Sequence, residues 1–121
     1  MASRLKPGDV IGFIGELGSG KTTIIQFIAK FLGVKKNITS PTYLYLKTYP
    51  LKNGSELIHC DAYRLDNDTD VNSIDLAYYF NKNNIILIEW ADKIIKFLPN
   101  NVQIFNIKTD NKKRIIEKIK I

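Results

Sequence analysis

The sequence predicts an α/β domain of three layers, in which helices cover a central mixed sheet with a parallel core and antiparallel hairpins. Three observations predict it. Gly15-Glu16-Leu17-Gly18-Ser19-Gly20-Lys21-Thr22 matches G-x-x-x-x-G-K-[ST] in full, and it stands between the apolar run Val10-Ile11-Gly12-Phe13-Ile14 and a segment of helical apolar spacing, residues 23–32. A second apolar run, Ile85-Ile86-Leu87-Ile88, reads as a strand covered on both faces. Strand-forming segments flank turn residues at 53–54 and at 110–113, as hairpins require. A strand that turns through a phosphate-binding loop into a helix makes the frame P-loop NTPase-like.

Composition sets the limits. A chain of 121 residues, 45% hydrophobic and 25% charged, is expected to fold as one domain over residues 1–121, neither disordered nor membrane-embedded. The first residues lack the apolar core of a signal peptide and no run approaches the length of a membrane span, so a cytoplasmic protein is expected. The single cysteine, Cys60, forms no internal disulfide and is read as buried. A net charge of +6 suits an acidic partner such as nucleic acid. The basic residues are scattered, however, and none lies in an aromatic RNA-binding signature, so they read as solvated surface.

Along the chain, Lys6-Pro7-Gly8-Asp9 is a turn that leads into the first strand, and Gly33 is placed to cap the helix after the phosphate loop. Residues 43–49 and 56–60 read as two strands joined by a turn at Asn53-Gly54. The acidic segment 66–70 can cap a helix that runs through Tyr78-Tyr79-Phe80. After the strand that ends in Glu89-Trp90, residues 91–98 read as a short helix stopped by Pro99. Residues 102–107 and 114–121 read as the strands of a last hairpin.

Chemistry concentrates at the phosphate loop. Its glycines let successive N–H groups face an anion, and the helix that follows adds the positive end of its dipole. Lys21 is expected to reach the β and γ phosphates, and the Thr22 hydroxyl to be a ligand of Mg²⁺. Glu89 lies where such folds place a carboxylate that binds Mg²⁺ directly or through water, and Asp61 has the same placement on another strand. Arg64 suits either a phosphate or an ion pair with Asp61. Trp90 suits either stacking on the nucleotide or core packing, and Thr42 either a γ-phosphate contact or a turn. His59, alone inside a strand, is assigned no chemistry.

The ordered series G-E-L-G-S-G-K-T-T from Gly15, S-P-T-Y from Ser40, H-C-D-A-Y-R-L from His59 and E-W at Glu89 closely resembles the TsaE family, also called YjeE. The resemblance spans most of the chain. It implies a small ATPase that, with the TsaB and TsaD proteins, serves the threonylcarbamoyl modification of adenosine 37 in tRNA, TsaD being the transferase. It implies ATP and Mg²⁺ as cofactors, with Thr22 and Glu89 as metal ligands and Asp61 at the same site; Lys21, Asp61 and Glu89 are the expected catalytic residues. The nucleotide would be held by Glu16, Leu17, Gly18, Ser19, Gly20, Lys21, Thr22 and Thr23, with Thr42, Trp90 and, by position alone, Arg114. Family members usually carry a helical segment before the first strand, whereas here the loop begins at Gly15, so the adenine contacts of such a segment are expected to be missing or replaced. Asp75 stands where the family often has glycine. A small-molecule or nucleotide kinase is the alternative, but no arginine-bearing lid is visible in the sequence. A GTPase is disfavoured because no Asn-Lys-x-Asp segment is present.

Overall fold

A computed structural model describes residues 5–15, 21–35, 46–63, 76–81, 83–110 and 113–119. Its strands are β1 (Val10–Ile14), β2 (Leu46–Pro50), β3 (Glu56–Asp61), β4 (Asn84–Glu89), β5 (Gln103–Asp110) and β6 (Lys113–Ile119), and its α-helix is α1 (Lys21–Phe31). They form one six-stranded sheet in the order β2-β3-β4-β1-β5-β6. The four inner strands are parallel, and antiparallel hairpin partners close both edges. The mixed sheet expected from sequence is therefore present, with β4 and β1 in the middle and the carboxyl end of β1 leading to Gly15.

Period-two alternation sends each strand's side chains to two separate cores. Under α1 lie Ile11, Phe13, Leu57, Ile85, Leu87 and Ile107, packed on Ile24, Ile25, Ile28 and Ala29 of the helix. Under the segment Ala91–Phe97 lie Val10, Ile58, Cys60, Ile86, Ile88 and Ile104. Each fully buried leucine or isoleucine contributes roughly 1.5–3 kcal/mol to this arrangement. Burial also pushes the Cys60 thiol up to about 12, with the negative charges of Asp61 and Glu89 adding to the effect.

Local chemistry explains the element ends. Lys6 O accepts from Asp9 N at 3.1 Å across Pro7-Gly8, with Gly8 at φ 103, as a type II turn demands. α1 ends as expected at Gly33, φ 94: its N–H reaches Lys30 O and that of Val34 reaches Ala29 O, both at 3.0 Å, a Schellman cap. β2 covers the later part of the expected strand; residues 43–45 lie outside the described residues. Leu76–Tyr79 is a 3₁₀ turn, the described portion of the helix expected before Phe80.

One element departs from expectation. Ala91–Phe97 is not a continuous α-helix but two 3₁₀ turns joined at a kink, where Ile94 has φ −131 and ψ 23. The kink turns Ile94 fully into the core, and Gly12 lets the segment approach, since a Cβ at Gly12 would lie 2.6 Å from both Ala91 Cβ and Ile104 Cδ1. Close seating on β1 outweighs the regular helix that the sequence permits. No helix among the described residues is long and apolar enough to cross a membrane.

Candidate functional site

The functional side chains meet where β1, β3 and β4 end, on the α1 face of the sheet. Parallel register sets this up: Phe13 is opposite Glu89, and Glu89 is opposite Asp61. Residues two apart share a face, so His59 and Asp61 of β3 both lie on the side of Glu89.

At the entrance to α1, Gly15 has φ 146, a conformation open to glycine and strained for other residues. Its carbonyl accepts from Lys21 Nζ at 2.7 Å, and the same ammonium lies 4.0 Å from the centroid of the Trp90 ring. Lys21 is only 5% exposed. Burial pushes its ammonium below the ordinary lysine value, while Glu89, Asp92 and Asp61 pull the other way. A lysine in this state carries a poorly hydrated charge directed at the loop, which suits an anionic guest.

Glu89 is gripped from two sides. Thr22, in the first turn of α1, donates from Oγ1 to Oε1 at 2.6 Å, and His59 Nε2 lies 2.6 Å from Oε2. Burial raises the carboxyl, but the hydrogen bonds from His59 and Thr22 and the nearby positive charge outweigh it, so Glu89 stays below the usual carboxylate range. Asp61 goes the other way: burial and the neighbouring Glu89 charge raise it, despite the hydrogen bond that its Oδ1 accepts from Tyr63 N at 3.0 Å. One carboxylate is thus kept ionised beside another that resists ionisation. An added cation would relieve that asymmetry, and Thr22 and Glu89 offer it two hard oxygens side by side.

Trp90 follows at φ 58 and ψ 42, the left-handed region that costs a non-glycine residue roughly 1–2 kcal/mol. Its ring contacts both Lys21 and the ring of Tyr63, whose centroid is 5.1 Å away at a tilt of 48°. Lys93 secures that end, donating from Nζ to Tyr63 O at 2.7 Å. Trp90 is half-buried, packed against the core under Ala91–Phe97 and lying beside the phosphate-loop lysine.

Lys21, Thr22, Asp61, Glu89 and Trp90 are therefore brought together. Thr23 is half-buried on α1. Arg114 is exposed on edge strand β6, opposite Thr109 and separated from β1 by β5. Glu16, Leu17, Gly18, Ser19, Gly20, Thr42, Arg64 and Asp75 lie outside the described residues. Sequence reasoning missed His59. Its signal was the spacing His59-x-Asp61 in a strand, which places the imidazole on the face where Glu89 arrives.

Residues 1–116 match the family model described as threonylcarbamoyl adenosine biosynthesis protein TsaE. A Streptomyces coelicolor protein named tRNA threonylcarbamoyladenosine biosynthesis protein TsaE is 37% identical over 103 residues, which are 84% of this chain and 69% of that protein. The Bacillus subtilis protein of the same name is 37% identical over 99 residues, 81% of this chain and 60% of its own length. A crystal structure of Bacillus subtilis YdiB aligns with a TM-score of 0.72 at 34% identity, covering 95% of this chain and 70% of that one. The chain thus spans about two thirds of the length of these relatives, between 60% and 69% for the two named TsaE proteins.

Proposed function

The chain belongs to the TsaE family, and from that membership we propose that it binds Mg²⁺-ATP at the phosphate loop, hydrolyses it slowly, and drives turnover in tRNA threonylcarbamoyladenosine formation. It does so as a regulatory ATPase beside the TsaB and TsaD proteins, in the cytoplasm, and TsaD remains the transferase.

The observation that carries this reading is the pair of contacts at the start of α1: Lys21 held at Gly15 O and Thr22 held at Glu89. They bring a buried ammonium and a pair of hard oxygens to the first turn of α1. Lys21 would move from the Gly15 carbonyl and the Trp90 ring to the β and γ phosphates, whose negative charge pairs with the ammonium. Thr22 and Glu89 would hold Mg²⁺, which neutralises charge developing on the phosphates during hydrolysis. Asp61, opposite Glu89 in the parallel register, would orient a water by hydrogen bonding.

Mixing the protein with TsaB, TsaD, unmodified tRNA, threonine, bicarbonate, ATP and the enzyme that makes threonylcarbamoyl-adenylate tests the proposal. Modification over many turnovers is expected with the parent and not with Lys21→Ala. Equal modification by the variant, or no response to the partners, would overturn the regulatory reading in favour of phosphoryl transfer to a small acceptor.

A further inference from the structure

His59 is fully buried in β3, between apolar neighbours Ile58 and Cys60 that are buried on the opposite face. Burying an imidazole has a cost that hydrogen bonds must offset, and a core histidine serving only as filler would be satisfied at both nitrogens. Here Nε2 meets Glu89 Oε2 at 2.6 Å, while Nδ1 is buried with no hydrogen-bond partner among the described residues. The ring accepts an unsatisfied nitrogen in order to keep its contact with Glu89. A leucine of similar volume would avoid that cost but would leave Oε2 of the buried Glu89 unpaired, so the residue is accounted for by its partner and not by core filling.

The two oxygens of Glu89 differ in what holds them. Oε1 takes the Thr22 hydroxyl, and the same two atoms are the hard donors at the loop. The Thr22 oxygen keeps its lone pairs while its O–H donates, so Oγ1 and Oε1 would be free to meet a cation together. Oε2 faces inward to His59, on a strand fixed by continuous register with β4, and its bond has no reason to open. We infer that His59 is a positioning residue that grips Oε2 of Glu89 from within the sheet and so presents Oε1, beside Thr22, to the divalent cation of the bound nucleotide. The inference rests on the Mg²⁺-nucleotide reading above and adds to it the residue that sets the carboxylate's angle. Hydrogen-bonding partners of metal-binding carboxylates typically govern about 10–100-fold in metal affinity.

Calorimetric titration of ATP, in excess Mg²⁺ and again in a chelator, tests the role without relying on turnover. In the parent, Mg²⁺ tightens ATP binding. In His59→Leu the Mg²⁺-dependent gain should fall by about tenfold or more while affinity in chelator stays within about twofold. His59→Gln, which keeps an N–H donor of similar reach, should recover most of the gain. With Glu89→Gln already in place, His59→Leu should cost little further, because the effect passes through Glu89. A parent that binds Mg²⁺-ATP, with His59→Leu either unchanged or weakened equally with and without Mg²⁺, or with His59→Gln recovering none of the gain, overturns this inference alone. Additive effects of His59→Leu and Glu89→Gln would also overturn it. A parent that binds no nucleotide overturns the function proposed above, and this inference with it.

Discussion

Thr22 and Glu89 stand 67 positions apart in sequence and 2.6 Å apart in space, joined by a hydrogen bond from the Thr22 hydroxyl to Oε1. The contact ties the first turn of α1, which follows the phosphate loop, to the end of β4. Removing Glu89 should therefore cost more at low metal than at high. Glu89→Ala is expected to lower ATP hydrolysis on the order of tenfold or more when Mg²⁺ is limiting, with partial recovery at saturating Mg²⁺. Identical Mg²⁺ dependence in variant and parent would contradict this placement.

The same carboxylate carries a pH signature. Hydrogen bonding holds Glu89 below the ordinary value of 4.5, so its contribution to stability is present above that value and is lost as the pH falls through the folded one. Asp61 is shifted the opposite way, and its ionisation opposes folding as the pH rises. Urea titrations of the parent and of Glu89→Gln should show a stability gap at pH 7 that narrows below about pH 4.5. A gap that widens on acidification would reverse the assigned sign.

Trp90 is the single tryptophan of the chain, and the Lys21 ammonium lies 4.0 Å from its ring centroid. Drawing Lys21 to a phosphate removes that charge from the ring face, so indole emission should change on titration with Mg²⁺-ATP, saturating with the affinity found by calorimetry. A flat response with binding independently established would mean that Lys21 stays where it is.

Gly12 tests the seating of the Ala91–Phe97 segment that follows Trp90. An alanine there brings a methyl within 2.6 Å of Ala91 Cβ and Ile104 Cδ1. Gly12→Ala should destabilise the fold by about 1–3 kcal/mol, read as a lower thermal midpoint. An unchanged midpoint would show that the segment can retreat from β1 freely.

Much of this was legible in the sequence because apolar period and turn chemistry are local. Val10–Ile14, the phosphate loop, Ile85-Ile86-Leu87-Ile88 and both hairpins announce a mixed sheet, and Gly33 announces the cap on α1. What was not legible depends on register and close packing. The kink at Ile94 arises because Gly12 admits Ala91, a relationship between residues 79 positions apart in number that no local pattern carries. The partnership of His59 with Glu89 requires knowing that β3 and β4 are parallel neighbours in one particular register, with Asp61 opposite Glu89. A lone histidine in a strand looks like core until that register is known. That Trp90 lies beside Lys21 became visible only once the Lys21 side chain had a direction.

Calorimetric titration of Mg²⁺-ATP into the parent and into Lys21→Ala tests the nucleotide site most directly. The variant loses the buried ammonium that Gly15 O and Trp90 hold at the loop. Its affinity should fall by about 1.5–3 kcal/mol, roughly ten- to a hundredfold, with the fold intact by circular dichroism. Equal affinity in a folded Lys21→Ala protein would contradict the assignment of the phosphate loop as an ATP site.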